Sequence, residues 1–88
     1  MSAKNISGKR IKLARLNREM AQIELCAALS VDHDIEMTQN TLSNIERGER
    51  IIRDVELIAF AKVLDVNPLW LLYGDKSPKF SDTPLRSK

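Results

Sequence analysis

Apolar residues recur along this chain at spacings of three and four, and no segment sustains the strict alternation of a half-buried strand. Ile11 and Ala14 mark the inner side of a first helix, running from about Ser7 as N-cap to about Arg18. Leu25, Cys26 and Leu29 do the same for a second helix, roughly Gln22 to Ser30. Leu42 and Ile45 anchor a third within residues 38–47, and Leu57, Ile58, Ala61 and Leu64 a fourth that starts with Asp54 as N-cap. Asn67-Pro68 offers a cap and a first-turn proline to a fifth helix, LWLLY, which Gly74 ends. The pattern predicts an all-α domain over residues 1–74. From residue 75 on, DKSPKFSDTPLRSK reads as a flexible tail, in which Phe80 and Leu85 are the large apolar residues able to dock.

The third helix has an unusual polar side. In TQNTLSNIERGER, residues 38–50, only Leu42 and Ile45 are large and apolar. Thr38, Gln39, Asn40, Thr41, Ser43 and Asn44 are neutral hydrogen-bonding residues. A solvated helix face is ordinarily dressed with Lys and Glu, which favour helix more than amides and hydroxyls do. Taken alone, such a face is compatible with plain solvated surface.

Eighty-eight residues form one small domain with room for a single core. Only four aromatics are present (Phe60, Trp70, Tyr73 and Phe80), so that core is aliphatic, as suits packed helices. The net charge of +2 says little, but its distribution says more. The first twenty residues hold Lys4, Lys9, Arg10, Lys12, Arg15 and Arg18 against Glu19 alone, a local excess that suits an anionic partner. A lone Cys26 excludes an internal disulfide, no apolar run is long enough to span a bilayer, and MSAKNISGKR lacks a signal-peptide core. The expected location is the cytoplasm.

The segments QIELCAAL, TQNTLSNIERGER and DVELIAFAKVLDVNPLWLL, in that order, resemble the Cro/repressor-type helix-turn-helix domain of phage and bacterial regulators. The similarity spans roughly Gly8 to Gly74, and LSNIERGER followed by the EL-x-x-x-A-x-x-L-x-V run is its most specific part. The resemblance implies a five-helix bundle in which the second and third helices form the helix-turn-helix and the third enters the major groove. Gln39, Asn40, Ser43 and Asn44 would then face base edges. An amide offers donor and acceptor together to adenine, each bidentate contact discriminating by about 1–3 kcal/mol. Gln22, Thr38, Thr41, Arg47 and Arg50 would make phosphate or supporting contacts that set register. Lys9, Arg10 and Lys12 are weaker candidates, on a side of the first helix turned away from DNA. The positions of Arg15 and Glu46 imply a buried structural ion pair.

The chain departs from the family pattern at several points. Ser30 stands where a turn glycine is usual, and SVDHDIEM makes the connection between the second and third helices about six residues longer than the common three- or four-residue turn. Glu19 replaces a helix-ending glycine, and Ala21 replaces the Ser or Thr cap before Gln22. The insertion carries Asp32, His33, Asp34 and Glu36, which raises a divalent-cation site as a hypothesis, but a solvated acidic turn is expected and no metal site is assigned. Ile35 or Met37 is expected to anchor it. Cys26 reads as a small core residue rather than a redox sensor. No nucleophile–base arrangement surrounds His33, and the three glycines form no phosphate-binding loop, so an enzyme is not expected.

The expected function is sequence-specific binding of double-stranded DNA by a repressor-like transcriptional regulator. It needs no cofactor, shows no small-molecule effector site and has no membrane contact. A homodimer on a two-fold-related operator is expected, with Ile51, Ile52, Trp70 and Leu71 as candidate interface residues. The rival is a protein-interaction module, an antitoxin or adaptor, that uses the same fold chiefly to hold a partner.

Overall fold

The computed structural model describes residues 3–76, and within them the chain is all-α. The helices are α1 (Gly8–Asn17), α2 (Gln22–His33), α3 (Gln39–Glu46), α4 (Asp54–Leu64) and α5 (Pro68–Tyr73), followed by a short 3-10 turn, Gly74–Lys76. That turn carries ordered chain past Gly74, the boundary expected from the sequence; residues 77–88, with Phe80 and Leu85, lie outside the described residues. Five helices and no strand among the described residues match the fold expected from the sequence.

Aliphatic packing builds the core. Ile11, Leu25, Leu29, Leu42, Ile45, Leu64 and Leu71 are essentially inaccessible to solvent, with Phe60 the one aromatic at the centre. Each such side chain contributes about 1.5–3 kcal/mol through burial. α3 packs on α1 and α2, while α4 packs on α1, α2 and α5, so the amide-rich helix is supported from behind by two others.

The carboxy-terminal end of α3 is tied to the chain's beginning by a residue the apolar pattern does not single out. Ser7 occupies the N-cap position of α1, but its side chain does not cap. Asn5 does so instead: its Oδ1 accepts from the N–H groups of Ser7 (3.0 Å) and Gly8 (2.7 Å). Its Nδ2 donates to the carbonyls of Ile45 (3.0 Å) and Arg50 (2.8 Å). Gly8 permits this close approach, since a Cβ there would lie 2.1 Å from the Ile45 carbonyl oxygen.

α2 runs to His33, one turn further than the Ser30 boundary read from the sequence, so it absorbs part of the lengthened connection. It stops where Asp34 turns left-handed (φ 56°) and the Ile35 N–H reaches the Leu29 carbonyl (3.1 Å). Ile35 and Met37 both pack against the core, leaving a short strap before α3 rather than a free loop.

α4 also differs in detail. Arg53 is the N-cap and Asp54 the first helical residue, not the cap. Ile58 is 45 % exposed and Leu57 only half-buried, while Glu56, Ala59 and Phe60 take the inner face. The run VELIAFAKVL is apolar at nearly every position, so spacing alone could not choose a face. Spacing misses Glu56 for the same reason. It sits three residues after the cap and accepts from the Arg53 N–H (3.0 Å), half of a capping box. It also accepts from Arg50 (3.0 and 3.2 Å) and the Arg53 guanidinium (3.2 Å). Arg50, expected on phosphate, is therefore held inward at the start of α4, where a buried carboxylate needs its charge.

Three helices end in the same way. At Glu19 (φ 55°), Gly48 (φ 79°) and Asp65 (φ 57°) the chain turns left-handed. The following N–H then reaches back five residues, from Met20 to Arg15 (3.1 Å), Glu49 to Asn44 (2.8 Å) and Val66 to Ala61 (3.0 Å). This is the Schellman closure, and only one of the three uses the glycine that fits it without strain. Glu19→Gly should raise the unfolding free energy by roughly 0.5–1 kcal/mol, and Gly48→Ala should lower it by about 1 kcal/mol, both read by urea denaturation. An ordinary 3.6 Å contact would meet the new Cβ at Gly48, so backbone strain alone sets that sign.

A second expectation concerns acid. Burial alone would push the Glu56 carboxyl up, but the hydrogen bonds from Arg50 and Arg53 outweigh it and hold the group below the usual 4.5. A lowered folded pKa stabilises above the ordinary carboxylate value, and that stabilisation disappears as pH falls through the lowered one. Glu56→Gln should therefore be less stable at neutral pH and should lose less stability than the parent between about pH 5 and pH 2, measured by thermal unfolding across that range.

Candidate nucleic-acid interface

α3 is short, so its placement rests on its cap and on two buried residues. Thr38 is the N-cap: its Oγ1 accepts from the Thr41 N–H (3.0 Å), and its hydroxyl pairs with that of Thr41 (2.9 Å). Leu42 and Ile45 fill the core beneath. Gln39, Asn40 and Arg47 are then exposed and Thr41, Ser43 and Asn44 half-exposed, so the amides and hydroxyls share one outward side.

Below that side lies a buried ion pair. Arg15 on α1 donates from Nε to Glu46 Oε2 (2.7 Å) and from Nη2 to Oε1 (3.0 Å), with side-chain exposures of 8 % and 3 %. Arg15 Nη1 also donates to the Met20 carbonyl (2.8 Å), which fixes the link from α1 to α2. Losing one partner would strand a buried charge, at a cost of roughly 3–5 kcal/mol.

The pair also orients the surface. Gln22, at the start of α2, donates from Nε2 to Glu46 Oε1 (3.0 Å), and Gln22 Oε1 accepts from Gln39 Nε2 (3.2 Å). Both Glu46 oxygens already accept from the Arg15 guanidinium, and Oε1 accepts again from Gln22, so Gln22 must turn its NH2 inward and its carbonyl outward. Gln39 must then present its NH2 to Gln22. One N–H and the whole carbonyl of Gln39 remain for a ligand, a donor beside an acceptor. Gln22, Gln39, Asn40 and Ser43 line a shallow open hollow there.

At the other end of the face, Arg47 lies back along α3. Its Nη1 donates to Ser43 Oγ (2.6 Å) and its Nη2 to Asn44 Oδ1, while Nε stands 3.4 Å from Glu49 Oε1. Behind α3, Lys9 and Arg47 border a hollow that also involves Gly48. Part of the basic excess in the first twenty residues is structural. Arg10 donates to the Ile6 (3.0 Å) and Leu71 (3.1 Å) carbonyls, and Arg18 to that of Leu64 (3.4 Å). Lys12 is exposed.

The acidic connection does not gather into a site. Asp32, Asp34 and Glu36 are exposed and His33 half-exposed, and no cluster able to hold a metal ion occurs among the described residues. Cys26 is half-buried; burial, and to a lesser degree the Glu46 charge, push its thiol up.

The helix-turn-helix family model matches residues 11–71, which contain all of α2, α3 and α4 and most of α1 and α5. A curated protein from Escherichia coli (strain K12), the HTH-type transcriptional regulator DicA, is 35 % identical over 77 residues, covering 86 % of this chain. The chain spans about half the length of that relative, 53 %. No solved structure matches. With the family match over residues 11–71, and α3 seated on α2 as the motif requires, the chain belongs to the Cro/repressor-type helix-turn-helix family.

Proposed function

We propose that this chain is a sequence-specific DNA-binding transcriptional regulator that lays α3 in the major groove. The observation that carries the proposal is the outward side of α3, where Gln39 is held by Gln22 with a donor and an acceptor free. Family membership and the naming of a relative as a transcriptional regulator support it. Gln39, Asn40, Ser43 and Asn44 read bases. Gln22, Thr38 and Thr41, beside the amino ends of α2 and α3, take phosphate or supporting contacts, helped by the partial positive charge of those helix ends.

One α3 makes too few base contacts for a unique address, so the regulator acts as a homodimer on a two-fold-related site. Leu71 cannot serve that interface, because it is fully buried in the core. Ile52 and Trp70 are partly buried against the same core. Ile51, 59 % exposed in the loop after α3, and Val55, 62 % exposed in the first turn of α4, are the residues we assign to the second copy. No helix among the described residues is long and apolar enough to cross a membrane, and we place the protein in the cytoplasm, with its DNA.

A protein-holding module is a second reading, favoured by one feature. Ile23 and Val31 are 63 % and 82 % exposed on α2 and, with exposed Ala27 between them, form a stripe at four-residue spacing. The two readings separate in a selection of binding sites from random duplex DNA. The wild-type chain should enrich a motif with half-sites about one helical turn apart. Gln39→Ala and Asn44→Ala should each weaken discrimination at one defined base pair by roughly 5- to 150-fold, equivalent to about 1–3 kcal/mol. No enriched motif at moderate salt would reject the DNA-reading proposal in favour of the partner-binding one.

A further inference from the structure

Resting on the proposed DNA-reading role, we infer that Arg47 sets the specificity of its neighbours by fixing Ser43 and Asn44 as hydrogen-bond donors. The sequence assigns Arg47 to phosphate, in the turn beyond the reading helix. In the structure it is folded back one turn, so that one guanidinium spans both side chains. Glu49 Oε1, 3.4 Å from Nε, steadies it from behind.

Guanidinium donates only. Where it meets Asn44 it takes the carbonyl, so Asn44 must turn its NH2 away, toward a ligand. Ser43 accepts from Arg47 through Oγ, so its own proton points outward as well. The carboxy-terminal half of the face therefore offers donors alone, matching the paired acceptors O6 and N7 of guanine, whereas adenine answers only at N7 and sets its own N6 donor against them. Gln39, at the other end, retains a donor and an acceptor and matches adenine. One helix thus carries two kinds of reader, and a residue that touches no base selects between them.

Without Arg47 the Asn44 amide is free to flip and to present both functions, so the N6 donor and N7 acceptor of adenine become acceptable where guanine was required. The Arg47→Lys variant would keep the charge, but an ammonium could not span two acceptors as a planar fork does. Had Arg47 instead been a phosphate contact, its loss would weaken all sequences alike and flatten the dependence of log K on log salt by about 0.9.

The test uses the full chain and variants Arg47→Ala, Arg47→Lys, Asn44→Ala and the Arg47→Ala/Asn44→Ala double variant. Each is taken through selection from random duplexes, then salt titration on the wild-type motif. Asn44→Ala locates the base pair that Asn44 reads. At that pair, Arg47→Ala and Arg47→Lys should lose discrimination against adenine by at least about five-fold. The double variant should look like Asn44→Ala alone, the preference under Gln39 should persist, and the salt slope of Arg47→Lys should match the parent. An unchanged base profile in Arg47→Ala, a change at a different base pair, or a uniform loss with a flattened slope would overturn the inference while leaving DNA reading intact. No motif for the wild-type chain would remove both.

Discussion

The amide-rich side of α3 rests on one charge taken out of water. Glu46 sits at the end of α3 at 5 % exposure, and it is tolerable there only because Arg15 meets it with two parallel hydrogen bonds. An apolar pair of similar volume could hold α1 to α3 as well or better. What an apolar pair could not do is accept a third hydrogen bond from Gln22, and through it fix the amide of Gln39. The ion pair is thus both a strut and the inner end of a polar chain that surfaces on the face of α3.

Cations near that face are mostly tied down. Arg50 and Arg53 serve Glu56 at the start of α4, Arg10 and Arg18 bind backbone carbonyls, and Arg47 lies across Ser43 and Asn44. What that face leaves free is a pattern of hydrogen-bonding groups more than a concentration of charge.

Much of this was legible in the sequence, and the failures have physical reasons. Helix count and the position of α3 follow from apolar spacing, because Leu42 and Ile45 are isolated in a polar run and leave one face to choose. α4 lacks that contrast, and its inner face is rotated from Leu57 and Ile58 toward Ala59 and Phe60. The sequence places the end of α2 too early because Ser30 and the acidic run look like a turn, whereas Asp34 performs the left-handed turn three residues beyond Val31. Asn5 acts across forty residues, on the Ile45 carbonyl, and no local pattern encodes such a contact. At Glu56 a signal is present in the three-residue spacing from Arg53, but a carboxylate in the first turn of an apolar helix reads as solvated. Arg47 shows the opposite limit. Its residue type suits phosphate, and only its folded-back conformation points to Asn44.

The measurement that bears most directly on this account replaces the ion pair whole, as Arg15→Met with Glu46→Leu, and compares binding to the selected duplex with binding to one altered at the base pair under Gln39. The double variant should fold to within about 2 kcal/mol of the parent in stability, because neither charge is left unpaired. Discrimination at that base pair should fall at least about five-fold, because Gln22 no longer has a carboxylate to orient it. A folded double variant that discriminates as sharply as the parent would contradict the claim that the buried pair presents the reading face.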